Sequence, residues 1–128
     1  MKYIVIASGG AFGALLRYAL SGFIYRFSSS GFPAGTLGVN LLGAFVIGLL
    51  WSFFEEFTLP PNLRSFVFIG VIASFTTFST YCLETLNLAR DGEWKYAIMN
   101  FLLSNVLGIG FVFLGFLAFR WILQLVRG

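Results

Sequence analysis

The sequence of 128 residues contains no histidine and a single cysteine, Cys82. The absence of histidine excludes imidazole acid–base catalysis and histidine metal ligands. One cysteine excludes an intrachain disulfide and a cysteine-cluster metal site. Charged residues are also scarce, at 10% of the chain, whereas soluble domains carry roughly 25%. So few charges do not cover the surface of a soluble globule, which excludes a soluble enzyme, a disordered chain and a nucleic-acid-binding module.

Apolar residues, in contrast, make up 59% of the chain. Four nearly uncharged stretches are each long enough to cross about 30 Å of hydrocarbon as a helix of roughly 20 residues. Their predicted ranges are 3–26, 33–57, 62–90 and 94–124. Short turns rich in Ser, Gly, Pro or charge separate them. The sequence therefore predicts an all-α integral membrane protein, a single four-span domain over residues 1–128.

Basic residues are divided almost evenly between the two sides of this arrangement. With both termini on one side, the basic residues there are Lys2, Arg64, Arg120 and Arg127, and those opposite are Arg26, Arg90 and Lys95. The positive-inside rule then gives little orientation. One interpretation is a weak bias aided by an insertion factor. The other is dual topology, in which the chain inserts both ways and pairs as an antiparallel dimer. Four short spans enclose little interior, so we expect an oligomer in either case.

Five serine and threonine residues stand between Ala73 and Tyr81, in the middle of the third span. Their side chains compete for backbone hydrogen bonds, so we expect a helix broken at mid-membrane depth. Irregular backbone is tolerated there only where it is buried in protein or lines a water-filled cavity. Carbonyl groups freed by such a break can bind a cation. Phe78 and Tyr81 lie three positions apart and share one face of a local helix.

Three further polar residues stand inside the spans, where they are expected to face protein or water. Arg17 is either an interfacial side chain that reaches the membrane surface or a cation that draws anions into a vestibule. Asn40 either links two helices or donates to an anion in a pore. Glu84 either forms a structural ion pair, with Arg17 or an arginine of a partner chain, or couples transport to protons.

Two patterns of small or polar residues concern helix packing. Gly9 and Gly13 have the Gly-x-x-x-Gly spacing, which predicts a close approach between helices. On the fourth span a polar stripe recurs every four residues and faces another helix or a water-filled path; it consists of Asn100, Ser104 and Gly108, with Asn105 alongside. We expect the lone Cys82 to be buried and inert.

Four motifs follow one another along the chain. They are Gly9-Gly10-x-x-Gly13-Ala14-x-x-Arg17-Tyr18, Gly35-Thr36-Leu37-x-Val39-Asn40-x-x-Gly43, Thr76-Thr77-Phe78-Ser79-Thr80-Tyr81 with Glu84 following, and the weaker Asn105-x-x-Gly108. Taken together, these motifs resemble those of the Fluc family of fluoride channels, also called the CrcB family. Their order and spacing cover nearly the whole chain.

The resemblance implies a passive channel that lets fluoride leave the cytoplasm. It also implies an antiparallel dual-topology homodimer with two pores. Separately, the absence of a targeting segment leads us to expect a bacterial inner membrane. The residues that the resemblance implies in the fluoride pathway are Asn40, Phe78, Ser79, Thr80 and Tyr81. From the polar stripe of the fourth span, we expect Ser104 and Asn105 to line the same pathway. Arg17 is implied at the vestibule. A structural sodium ion at the dimer axis is implied on the backbone carbonyls of Ala73 and Thr76.

The chain departs from the family pattern at two places. The family usually has Phe where this chain has Tyr81, whose hydroxyl either donates to fluoride or blocks its path. The family usually has two glycines where Ala73 and Ser74 stand, which bears on the sodium site. A heterodimeric channel is therefore one alternative. Others are a proton-coupled exporter of organic cations, with Glu84 as its carboxylate, and a membrane scaffold without transport. The sequence contains no nucleophile–base pair, so we do not expect an enzyme.

Overall fold

The computed structural model describes all 128 residues and is entirely helical between its turns. Its four long helices are α1 (Lys2–Arg26), α2 (Ala34–Glu56), α3 (Pro61–Arg90) and α4 (Trp94–Arg127). Each is long and apolar enough to cross a membrane. The predicted all-α architecture, with four helices long and apolar enough to span a membrane, is therefore confirmed.

Turn-forming residues separate the helices. Pro33 directly precedes α2, and Pro61 stands at the first position of α3, where its missing N–H costs no helical hydrogen bond. Between α3 and α4, Gly92 has a φ angle of 79°, a left-handed conformation that side chains disfavour. These short connections keep consecutive helices adjacent.

Close packing at glycine joins the helices into two pairs. A Cβ atom at Gly9 would lie 2.7 Å from the carbonyl oxygen of Phe66, and one at Gly13 would meet the carbonyl oxygen of Val71. These contacts join α1 to the first half of α3, so the close approach predicted from the Gly-x-x-x-Gly spacing is confirmed. In the same way, α2 packs against α4 through Gly48 and Gly115.

The C-terminal ends of α2 and α4 also lie together. The Arg127 guanidinium is 2.6 Å from the Glu56 carboxylate. A longer contact of 3.8 Å joins Arg120 to Glu55. Such exposed pairs contribute little stability, but they show that these two helix ends are on the same side of the molecule.

The helix α3 is not uniform along its length. After one turn of α-helix, Ser65–Ile72 is π-helical, and Ala73–Phe75 completes the first half. Thr76 and Thr77 then have extended torsion angles (φ −85°, ψ 157° and φ −146°, ψ 115°), and the α-helix resumes over Phe78–Arg90. A second π-helical stretch, Leu103–Leu107, occurs in α4.

Few side chains are enclosed by the chain itself. Only 16 of the 128 residues are buried, and the most completely buried side chains are Val39 and Asn100. Large apolar side chains cover the outside of all four helices, as expected for surfaces that face lipid or another protein chain. Cys82 is exposed, so the expectation that it is buried in this chain is wrong; it points outward from α3 rather than into the small core.

Candidate functional site

The two extended residues of α3 are held by a side chain of α2. The Asn40 amide donates from Nδ2 to the Thr77 carbonyl oxygen at 2.9 Å and accepts at Oδ1 from the Thr77 backbone N–H at 2.8 Å. This pair of bonds replaces those that Thr77 would make in a continuous helix, where its N–H would reach the Ala73 carbonyl. Asn40 therefore stabilises the interruption, because backbone groups buried without partners are costly.

Thr77 also begins the second half of α3. Its Oγ1 accepts from the Thr80 backbone N–H at 3.3 Å, as an N-cap residue does, and its hydroxyl donates to Thr80 Oγ1 at 2.9 Å. On the other side of the interruption, the Thr76 hydroxyl donates to the Ile72 carbonyl oxygen at 3.1 Å. The Thr77 hydroxyl thus supplies a partner for the Thr80 N–H, which the interruption would leave free. The Ile72 carbonyl, in contrast, also accepts from the Thr76 backbone N–H at 3.1 Å.

A cavity of about 210 Å³ opens beside the interruption. Side chains of α2, α3 and α4 line it, namely Asn40, Thr77, Phe78, Tyr81, Ser104 and Asn105. A second cavity of about 310 Å³ shares Asn40, Ser104 and Asn105 with the first, and extends along Thr76 and Gly43. Gly43 makes this approach of α2 and α3 feasible, because a Cβ there would meet the Thr76 methyl group.

The two aromatic rings of the cavity differ in their exposure. Their centroids are 5.6 Å apart and the ring planes are inclined by 54°. Phe78 is 75% exposed in the single chain, whereas Tyr81 is 8% exposed. The Phe78 ring therefore has an open side, while Tyr81 is held among its neighbours.

Hydrogen bonds between α3 and α4 fix the remaining wall of the cavity. Asn105 Nδ2 donates to the Tyr81 hydroxyl oxygen at 3.1 Å and to the Phe101 carbonyl oxygen at 2.8 Å. One turn earlier, the buried Asn100 donates to Thr85 Oγ1 at 2.9 Å and accepts from the Ser104 hydroxyl at 3.4 Å. The polar stripe of α4 thus faces α3.

The structure brings together most of the predicted pathway residues. Five of them line the 210 Å³ cavity: Asn40, Phe78, Tyr81, Ser104 and Asn105. Thr80 adjoins it through its hydrogen bonds to Thr77, whereas Ser79 is exposed and lies outside the lining. Arg17, on α1, also lies outside it, and its buried Nε has no hydrogen-bond partner in the chain.

Glu84 makes its contacts elsewhere. Its Oε1 accepts from the Thr36 hydroxyl at 2.8 Å and from the Tyr25 hydroxyl at 3.3 Å. The chain contains two ion pairs, both between α2 and α4, and neither includes Glu84 or Arg17. Within one chain, hydroxyl groups therefore take the place that was predicted for Arg17, and a pair with an arginine of a partner chain stays a prediction.

Sequence reasoning missed several residues of this region. Thr77 was noted in the motif but not as the residue that Asn40 binds, and Thr36 and Tyr25 were not foreseen as partners of Glu84. One signal was present for Thr36, since it stands four positions before Asn40 and therefore on the same face of α2. The contacts of Tyr25 and Thr85 had no local signal.

The fold and this site define an integral membrane protein of the multi-pass, all-helical class, with a polar cavity between its helices. Residues 4–116 match the model of a family described as "CrcB-like protein, Camphor Resistance (CrcB)". The chain belongs to this CrcB family.

Curated relatives match almost end to end. The chain is 47% identical over 122 residues to the "Fluoride-specific ion channel FluC" of Desulforapulum autotrophicum, a match that covers 94% of this chain and 98% of the relative. Proteins of the same name from Parabacteroides distasonis and Magnetococcus marinus are 40% and 44% identical over 127 and 123 residues. These matches cover 99% of both chains in the first case, and 95% of this chain and 100% of the relative in the second.

Proposed function

We propose that this protein is a passive, fluoride-selective channel that lets fluoride leave the cytoplasm and so lowers its toxicity. The observation that carries the proposal is the polar cavity beside the helix interruption, lined by Asn40, Thr77, Phe78, Tyr81, Ser104 and Asn105. The curated relatives of nearly the same length, each named a fluoride-specific ion channel, support the choice of ion. Transport of this kind is no chemical reaction, so the chain is not an enzyme.

The chemistry of the cavity suits a small, strongly hydrated anion. Fluoride loses water in a pore only if protein donors replace it, and the Asn40 amide has a second N–H beyond the one that Thr77 uses. The edge of an aromatic ring is positive and its face negative, so the open Phe78 ring can offer polarised C–H groups to the anion. Because C–H contacts are weak, the ion can also leave, as conduction requires.

The positions of Ser79, Thr80 and Arg17 extend the proposed pathway beyond the cavity. Thr80 is within hydrogen-bond reach of Thr77, and the exposed Ser79 follows Phe78 on the side that is open in a single chain. Arg17 carries a positive charge that would attract anions toward a vestibule. An inside-negative membrane potential drives an anion outward by about 2.3 kcal/mol per 100 mV, so export needs no pump.

We propose further that the working unit is an antiparallel dual-topology homodimer in a bacterial inner membrane, with α3 interrupted at mid-membrane depth. The small number of buried residues supports an oligomer, since one chain alone encloses little interior. The exposure of Phe78, which lines the cavity, also supports an oligomer, because a single chain does not cover this side of the proposed pathway. The even division of basic residues supports dual topology.

A structural sodium ion at the dimer axis is the remaining part of the proposal. Hard cations take oxygen ligands, and the interruption supplies backbone carbonyls without helical partners. Ala73 would have bonded to the Thr77 N–H in a continuous helix, but that N–H binds Asn40. The residues present therefore fit the ion, with Ala73 and Thr76 as its ligands in each chain. When bound, the ion would supply a fixed positive charge that no change of pH removes.

The main alternative is a proton-coupled exporter of organic cations, which needs an essential carboxylate. Glu84 is the only carboxylate well inside a span rather than at its end, and it lies with Tyr25 and Asp91 beside a separate cavity of about 270 Å³. Its bonds to Thr36 and Tyr25 suit a structural role. A heterodimeric channel is the second alternative, since Tyr81, Ala73 and Ser74 depart from the family pattern.

Fluoride efflux from liposomes tests the proposal, with variants that separate the alternatives. We expect Phe78→Ala to abolish efflux and Glu84→Gln to retain it, because Gln keeps an oxygen that accepts from Thr36. An exporter would show the opposite pattern, with transport lost in Glu84→Gln. A heterodimeric channel would show no efflux from the purified chain and recovery on addition of a second, dissimilar chain.

A further inference from the structure

The side chains that line the 210 Å³ cavity use most of their hydrogen-bond donors within the protein. The Thr77 hydroxyl donates to Thr80, and the Ser104 hydroxyl donates to Asn100. The two N–H groups of Asn105 are both used, one on the Phe101 carbonyl oxygen and one on the Tyr81 hydroxyl oxygen. None of these donors is free for an ion without loss of an existing bond.

Two side-chain donors of the cavity stay unused. Asn40 gives one N–H to Thr77 and keeps the other. The Tyr81 hydroxyl accepts from Asn105 but donates to no atom of the chain. Because a hydroxyl has one donor and two acceptor sites, the bond from Asn105 occupies one lone pair and leaves the O–H proton pointing away from Asn105.

We propose that the Tyr81 hydroxyl is a direct ligand of the anion, and that Asn105 is the positioning residue that turns this O–H toward it. The inference rests on the proposed function, since it assigns a fluoride ligand in the same cavity. Tyr81 is 8% exposed, so its ring has little freedom to swing into the path as a plug. A hydrogen bond from an O–H group to an anion is short and about twice as strong as a hydrogen bond between neutral groups.

The two unused donors can therefore both replace water molecules around the anion. Asn40 contributes an N–H from α2 and Tyr81 contributes an O–H from α3, and both side chains line the same cavity. An anion in this cavity would meet both donors and the Phe78 ring. A strong hydrogen-bond acceptor such as fluoride gains more from these donors than chloride does, so Tyr81 contributes to selectivity as well as to binding.

The test compares the wild type with Tyr81→Phe by fluoride efflux from liposomes, measured over a range of fluoride concentrations. The substitution removes one oxygen and keeps the ring. We expect the half-saturating fluoride concentration to rise about tenfold, as for the loss of one hydrogen bond to a charged group. Tyr3→Phe is the matched control, because Tyr3 is 85% exposed near the N-terminus and does not line the cavity. The half-saturating fluoride concentration of this variant should equal that of the wild type.

Asn105→Ala, made alone and in the Tyr81→Phe background, tests the positioning role. We expect a rise of about threefold when Tyr81 is present and no further rise in the double variant, since the two residues act as one unit. Equal effects of Asn105→Ala in both backgrounds would overturn the positioning role. This variant also decides the proposal if Tyr81→Phe does not fold, since an unchanged half-saturating concentration would contradict it.

Two other outcomes distinguish a failure of the Tyr81 ligand role from a failure of the channel function. If the wild type conducts and Tyr81→Phe has a higher maximal rate with an unchanged half-saturating concentration, the hydroxyl is an obstruction and the ligand role is overturned while the channel function stands. If neither protein conducts fluoride and both are folded, the proposed function itself fails, and the ligand role fails with it.

Discussion

The glycine contacts between α2 and α4 lead to a quantitative prediction for Gly115. A Cβ at this position would meet the Phe45 carbonyl oxygen and would lie 2.9 Å from both the Phe45 carbonyl carbon and the Leu49 nitrogen. All three are backbone atoms, which no side-chain rotation can move away. Gly115→Ala therefore forces the two helices apart along their contact.

The size of the effect follows from two opposing contributions. Overpacking of this kind costs about 1–3 kcal/mol, whereas replacing a helical glycine by alanine gains up to about 1 kcal/mol. We expect a net loss of about 1–2 kcal/mol for Gly115→Ala. Gly110 is the matched control on the same helix, because a Cβ there meets nothing within 4 Å. Gly110→Ala should be neutral or stabilising by up to about 1 kcal/mol.

The stability of both variants is measured by unfolding in mixed micelles with increasing SDS, with tryptophan fluorescence as the readout. The expected difference of about 2 kcal/mol corresponds to a ratio of about 30 in the folding equilibrium. If the two variants unfold at the same SDS fraction, the close contact between α2 and α4 does not exist as described. A loss confined to Gly110→Ala would refute the reasoning in the same way, since it would place the contact on the other face of α4.

Three further predictions concern the interruption, the topology and the cation. Asn40→Ala leaves the Thr77 N–H and carbonyl without partners, so it should lower stability by about 2–4 kcal/mol and also reduce fluoride flux. The control is Asn62→Ala, since Asn62 is exposed. Equal stabilities of the two variants would contradict the role given to Asn40. A Gly128→Cys variant in a Cys82→Ala background should react with an impermeant maleimide from outside spheroplasts in about half of the molecules, whereas complete or absent labelling would exclude dual topology. Replacing sodium by choline should lower the thermal unfolding temperature of the detergent-solubilised protein through loss of a ligand of the folded state; an unchanged temperature at all sodium concentrations would remove the proposed ion.

Hydropathy alone predicted the number and type of helices, and the structure confirms four helices long and apolar enough to cross a membrane. The reason is physical: each span must satisfy its backbone hydrogen bonds internally and present apolar side chains to lipid, which leaves a strong signal in every segment. The Gly-x-x-x-Gly spacing likewise predicted the close approach at Gly9 and Gly13, because only a residue without a side chain fits there.

Contacts between distant segments were not predictable in the same way. The sequence does not reveal that Asn40 binds Thr77, 37 residues later, or that Glu84 accepts from Thr36, 48 residues earlier. Such pairs depend on how the helices are rotated against one another. The π-helical stretches also escaped prediction, since an extra residue per turn is an adjustment to packing between helices and has no composition of its own.

The channel proposal is tested most directly by efflux from liposomes that contain only this purified chain, loaded with fluoride or with chloride. A passive fluoride-selective channel would give rapid fluoride efflux without chloride efflux, driven by the fluoride gradient alone and needing no proton gradient. Equal efflux of both anions, or fluoride movement that requires a proton gradient, would contradict it.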